Sequence, residues 1–185
     1  MQLMILLLTI NFNYNPMTAS TSYHPAAEDS SMHLSAVDID IPALLASAHH
    51  PKAGAIVLFS GETRDNSHGK EVDYLSYEAH ESMANKMIAY IVEQAKQRWN
   101  LNLVLAVHRT GNVAVSETAV VVVTASAHRS EAYAANRFII DKIKHEAPIW
   151  KCEYFKDGSK EWGGNCNCKD ITGDANKHVY EFEGK

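Results

Sequence analysis

From residue 33 onward the apolar positions recur with a period of two or of three to four, and each change of period marks an element. Residues 33–39 (HLSAVDI) alternate apolar and polar, which predicts a half-buried strand. Residues 41–49 predict a short helix with Pro42 in its first turn, closed by Pro51. Residues 54–61 (GAIVLFSG) are β-rich and bounded by glycines, the pattern of a strand. The polar stretch 62–69 then reads as a loop to a neighbouring strand over 71–78. That strand places Val72, Tyr74 and Ser76 on one face and Leu75 and Tyr77 on the other.

Residues 81–99 carry the clearest helical period, with Met83, Met87, Ile88, Ile91, Val92, Ala95 and Trp99 in one stripe. Residues 101–108 predict a strand and Gly111 a turn. Residues 119–126 (AVVVVTAS) are almost wholly apolar, hence a strand central in a sheet. A second helix is expected over 130–146, with Ala132, Tyr133, Asn136, Ile139, Ile140 and Ile143 inward and Pro148 beyond its end. Residues 149–155 and 161–162 flank Asp157-Gly158, a hairpin turn signal. Strand pairs alternating with single helices predict an α+β fold, a mostly antiparallel sheet packed with helices.

The chain has 185 residues, enough for one domain with tails. We expect a disordered extension over 1–32, a domain over 33–164 and a loose tail over 165–185. The net charge of −5 argues against generic nucleic-acid binding. Three cysteines, Cys152, Cys166 and Cys168, do not make a disulfide scaffold and fit a reducing compartment. Cys166-Asn167-Cys168 matches no strong zinc spacing, so no metal is expected, and Gly163-Gly164 reads as a flexible loop. Residues 1–10 are apolar but far short of the ~20 needed to span a bilayer, and they lack a basic signal-peptide start. A cytoplasmic protein with no membrane partner is the expectation.

No phosphate-binding glycine loop, Rossmann fingerprint or nucleophile elbow occurs. The cations are more informative. His128-Arg129 falls where the apolar strand gives way to the second helix, a favoured place for anions. His108-Arg109 also follows a strand, but there a structural role is favoured. Lys142 and Lys144 are two residues apart near a helix end and must point in different directions, so one looks inward. Lys151 follows the apolar run 148–150, where partial desolvation suits a lysine to acid–base work or tight anion binding. Arg64, in the polar loop, is a further cation able to reach the same place.

Five segments, GAIVLFSGETRD, LSYEAHESMA, AVHRTG, SAHRSEAY and KIKHEAPIWKCE, occur in this order, and together the chain resembles the MoaE family, the large subunit of molybdopterin synthase. The resemblance runs from about residue 54 to 162. It implies an α/β hammerhead-like fold and a homodimer at the centre of a heterotetramer. It also implies a small ubiquitin-like partner whose C-terminal Gly-Gly tail carries a thiocarboxylate. The implied reaction puts sulfur into cyclic pyranopterin monophosphate to form the dithiolene of molybdopterin, with no cofactor. By motif, Lys144 and Lys151 match the family's active-site lysines. Arg64, His128 and Arg129 match its substrate contacts, and Glu153 matches the acidic residue closing the Trp-Lys-x-Glu segment. Cys152 stands where a basic residue is expected. Its side chain should face away from the pocket if Lys151 faces in, leaving its backbone as a substrate contact. The competing reading is a non-catalytic dimeric scaffold that binds a ubiquitin-like protein or an acidic ligand.

Overall fold

The computed structural model describes residues 32–163. The expected extension and tail, with Cys166 and Cys168, otherwise lie outside the described residues. The elements run β1 Leu34–Ser35, α1 Ile41–Ser47, β2 Ala55–Glu62, β3 Asn66–Ser67, β4 Lys70–Ala79 and α2 Glu81–Arg98. They continue with β5 Leu101–Arg109, β6 Gly111–Ala114, β7 Thr118–Ser126, α3 Arg129–Glu146, β8 Ile149–Phe155 and β9 Lys160–Gly163. The α+β architecture matches the expectation, but the strands form two sheets. One has the order β1-β5-β7-β2, the other β3-β4-β8-β9 with β6 also on β4. All pairs are antiparallel except β1 with β5.

The first sheet is covered on both faces, and β7 shows why its sequence is continuously apolar. Val120 and Val122 pack under α2 and α3 with Ile88, Ile91, Ile139 and Ile143. Val121 and Val123 point the other way, against Leu44 and Ala48 of α1 and its end. A strand with two buried faces has no polar position to alternate with. Leu44, Ile88, Ile91 and Ile139 are fully buried, each contributing about 1.5–3 kcal/mol by removal from water. Asn136 of α3 is the buried polar exception: its amide donates to the carbonyls of Val57 and Val122 at 3.1 and 3.0 Å, tying the helix to β2 and β7.

The second sheet departs from the sequence reading in several places. β2 and β4 are not neighbours, because the segment between them leaves one sheet and enters the other. That segment is not all loop. Ser67 pairs with Lys70, and His68 and Gly69 both have positive φ (52° and 79°), a two-residue hairpin turn of the kind that fits strand twist. A register shift between Val72 and Tyr74 adds a residue to β4, so Val72 and Leu75, expected on opposite faces, share a cluster with Phe155. β1 is shorter than expected. Gly111, at φ 78°, opens the strand β6 rather than a bare turn. Met83 and Tyr133 lie outside the helix stripes, at 55% and 64% exposed. Among the described residues no helix is long and apolar enough to cross a membrane.

Candidate active site

A cavity of about 740 Å³ opens between the two sheets. The first sheet contributes the ends of β2, β5 and β7; the second contributes β3, β4, β8 and β9; α3 closes the wall with its last turn. Arg64 enters from the segment after β2, Lys144 from the end of α3, and Lys151 and Glu153 from β8. Residues two apart on a strand share a face, which is why Lys151 and Glu153 arrive together.

Lys151 Nζ donates to Glu153 Oε1 at 2.7 Å. Glu153 is buried. Burial pushes its carboxyl up, but hydrogen bonds from Lys151 and Ser67, with the charges of Lys151 and His68, outweigh this and hold it below the usual carboxylate range. The Lys144 amine lies 6.0 Å from the centre of the Phe59 ring. Desolvation, then the charge of Lys151, lowers its pKa from the ordinary lysine value; Arg64 adds to this and Asp141 opposes it. Lys144 as a residue is nonetheless exposed and lines the cavity, so it is not sealed in the core. Gly163 of β9, expected in a flexible loop, faces Lys151 across the ladder, and a Cβ there would come within 2.8 Å of Lys151 Cε.

Three residues singled out from the sequence lie elsewhere. Cys152 is buried with its side chain off the cavity, as strand alternation requires, and does not line it. His128 and Arg129 are exposed at the start of α3, whereas Lys144 is at its end, about 22 Å away at 1.5 Å per residue. The start of α3 also carries its own anion: Glu131 accepts from Ser126 Oγ at 2.7 Å. That carboxylate complements the helix dipole. Arg109 is structural, as expected, buried between Asp38 and Glu117 at 2.9 Å from each. Its neighbour His108, for which a structural role is also expected, reaches the cavity instead. It is buried, lines the cavity and meets the Tyr77 ring edge-on at 4.9 Å between centroids. The signal was strand parity, since His108 shares a β5 face with Ala106, which packs under α2 and α3. Ser67, His68, Tyr77 and Trp162 also line the cavity without having been anticipated. Among the described residues no cluster of three or more His, Cys, Asp or Glu is placed to hold a metal ion.

Fold and site together define an α+β protein with a cavity between two sheets whose cations suit an anionic ligand. The sequence model of the MoaE protein family matches residues 34–146, and the chain belongs to that family. It is 42% identical over 125 residues to a molybdopterin synthase catalytic subunit of Thermoplasma volcanium, covering 68% of this chain and 91% of that one. The crystal structure of molybdopterin synthase from Staphylococcus aureus superposes with a TM-score of 0.68 at 33% identity, covering 72% of this chain and 97% of that one. A MoaE protein from Burkholderia ambifaria superposes with a TM-score of 0.64 at 31% identity, covering 80% and 95%.

Proposed function

We propose that this chain is the catalytic subunit of a molybdopterin synthase. It acts as a sulfurtransferase, moving sulfur from the thiocarboxylated tail of a small ubiquitin-like subunit to cyclic pyranopterin monophosphate. The observation that carries the reading is the convergence of Lys144, Lys151 and Arg64, from three separate elements, on one cavity. Fixed cations in a partly water-excluded site stabilise developing oxyanion and thiolate charge better than solvent does. Lys144, with its lowered pKa, serves the acyl end of the partner's tail, as charge stabiliser and proton donor. Lys151, held by Glu153, anchors the substrate, and Arg64 holds its phosphate. Cys152 faces away, so the sulfur arrives on the partner, whose glycines let its tail thread a narrow approach.

In this proposal His128 and Arg129, remote from their own chain's cavity, complete the cavity of a second copy in a homodimer. The test of the activity is reconstitution. The purified chain, the cyclic pterin and the thiocarboxylated partner should yield the dithiolene, and the same partner with an ordinary carboxylate should not. Product with the carboxylate partner, or none with either, would refute the reading.

A further inference from the structure

One buried titratable side chain of the cavity has no part in the reaction proposed above. His108 is 7% exposed and forms part of the wall. Its Nδ1 lies 2.7 Å from the carbonyl oxygen of Arg109. A carbonyl only accepts, so Nδ1 carries the proton and donates it. The neutral ring has a single N–H, which leaves Nε2 with a lone pair as the polar atom available to the cavity. Tyr77 from β4 packs against the ring, Lys144 from α3 acts on it through its charge, and Arg109 meets it only through the backbone carbonyl, its side chain being paired with Asp38 and Glu117. Burial pushes the imidazole down to about 4, against its bond to Arg109 and with help from the Lys144 charge. Burial pushes the Tyr77 phenol up to about 12, so it too is uncharged at neutral pH.

We propose that His108 is a specificity-determining residue: its Nε2 accepts a hydrogen bond from an N–H or O–H of an anionic ligand whose charge is held by Lys151 and Arg64, beside Lys144. This rests on the reading of the cavity as the substrate site. The three cations are donors only, and they recognise an anion without regard to what it is attached to. The cavity's carboxylates are already engaged: Glu153 by Lys151 and Ser67, Glu62 by the Ser60 and Thr118 hydroxyls, and Glu161 by Lys70. A neutral, tautomer-locked acceptor beside the cations adds the missing discrimination. A ligand with a donor satisfies it, and a ligand that covers it without one leaves a buried lone pair unpaired. A reduced pterin, rich in N–H groups, is a ligand of the first kind.

Two variants separate the two edges of the ring. His108→Asn keeps an amide N–H where Nδ1 stood and so keeps the backbone bond, but it removes the cavity acceptor. His108→Gln places its amide where Nε2 stood and restores one. Calorimetry at neutral pH should show His108→Asn weakening cyclic pyranopterin monophosphate by about tenfold or more. Sulfate, an anion with no proton to give, should bind as to wild type, and His108→Gln should recover part of the pterin affinity. Nitrogen NMR of the wild-type chain should show Nδ1 protonated, Nε2 bare and no titration from roughly pH 5.5 to 8. Unchanged pterin affinity in His108→Asn, an equal loss for sulfate, or titration of His108 near its ordinary value would overturn the role. The NMR result stands even if a variant fails to fold. A wild-type chain that binds sulfate but not the pterin would overturn the substrate reading itself, and this role with it.

Discussion

Glu153 is a buried carboxylate held ionised by Lys151, and its partner is also a proposed substrate anchor. Removing Lys151 therefore does two things: it takes a cation from the cavity and leaves a buried carboxylate unpaired. We predict that Lys151→Ala lowers both activity and melting temperature, and that Glu153→Gln on that background restores the melting temperature without the activity. The same residues set the response to acid. His108 is held at about 4 in the fold, against an ordinary 6.5, so as pH falls from 6.5 to 4 the unfolded chain takes up a proton that the folded chain refuses. Stability drains through that window by up to about 3 kcal/mol. Glu153 acts lower: its folded pKa is depressed below 4.5, so its contribution is present above that pH and is lost as pH falls through the folded value. Denaturant titrations from pH 7 to pH 4 (roughly the span of these groups) should show a shallower stability slope in His108→Asn than in wild type. Equal slopes would show that His108 is not buried neutral.

Elements were legible in the sequence wherever periodicity ran long. The stripes of α2 and α3, the doubly buried β7 and the Asp157-Gly158 hairpin follow from local pattern alone. What a single chain pattern does not carry is which strand lies beside which. The two-sheet division and the β4 bulge depend on pairing between distant segments, and the bulge moved Leu75 to a face that alternation denied it. The site was legible to the same degree. Lys151 and Glu153 share a strand face by local parity, but spacing alone left Lys142 and Lys144 open and the family resemblance chose between them, whereas the parity of His108 makes it a wall residue only once β5 is laid under α3. Position of α3 therefore matters to the chemistry, and Asn136 fixes it through two sheet carbonyls. Asn136→Ala should destabilise the fold by about 1–3 kcal/mol, read as a lower denaturation midpoint. An unchanged midpoint would show that apolar packing alone seats the helix.

At the scale of the whole molecule, the separation of Arg129 from Lys144 by the length of α3 is the feature that a lone chain leaves unexplained. If a second copy supplies Arg129, two variants inactive for different reasons should complement each other. Chains bearing Arg129→Ala and Lys144→Ala, co-expressed, would form mixed dimers with one intact site of two. With random pairing, that returns about a quarter of wild-type activity. No recovery in a mixed dimer of verified composition would place both residues in the service of one chain. The central claim is narrower: the lysine-bearing cavity between the two sheets performs the sulfur transfer. Its most direct test is single-turnover dithiolene formation by Lys144→Ala with saturating thiocarboxylated partner and cyclic pterin. The account predicts a rate lower by about 10²–10³, with melting temperature and partner binding unchanged. A rate within a few-fold of wild type would contradict it.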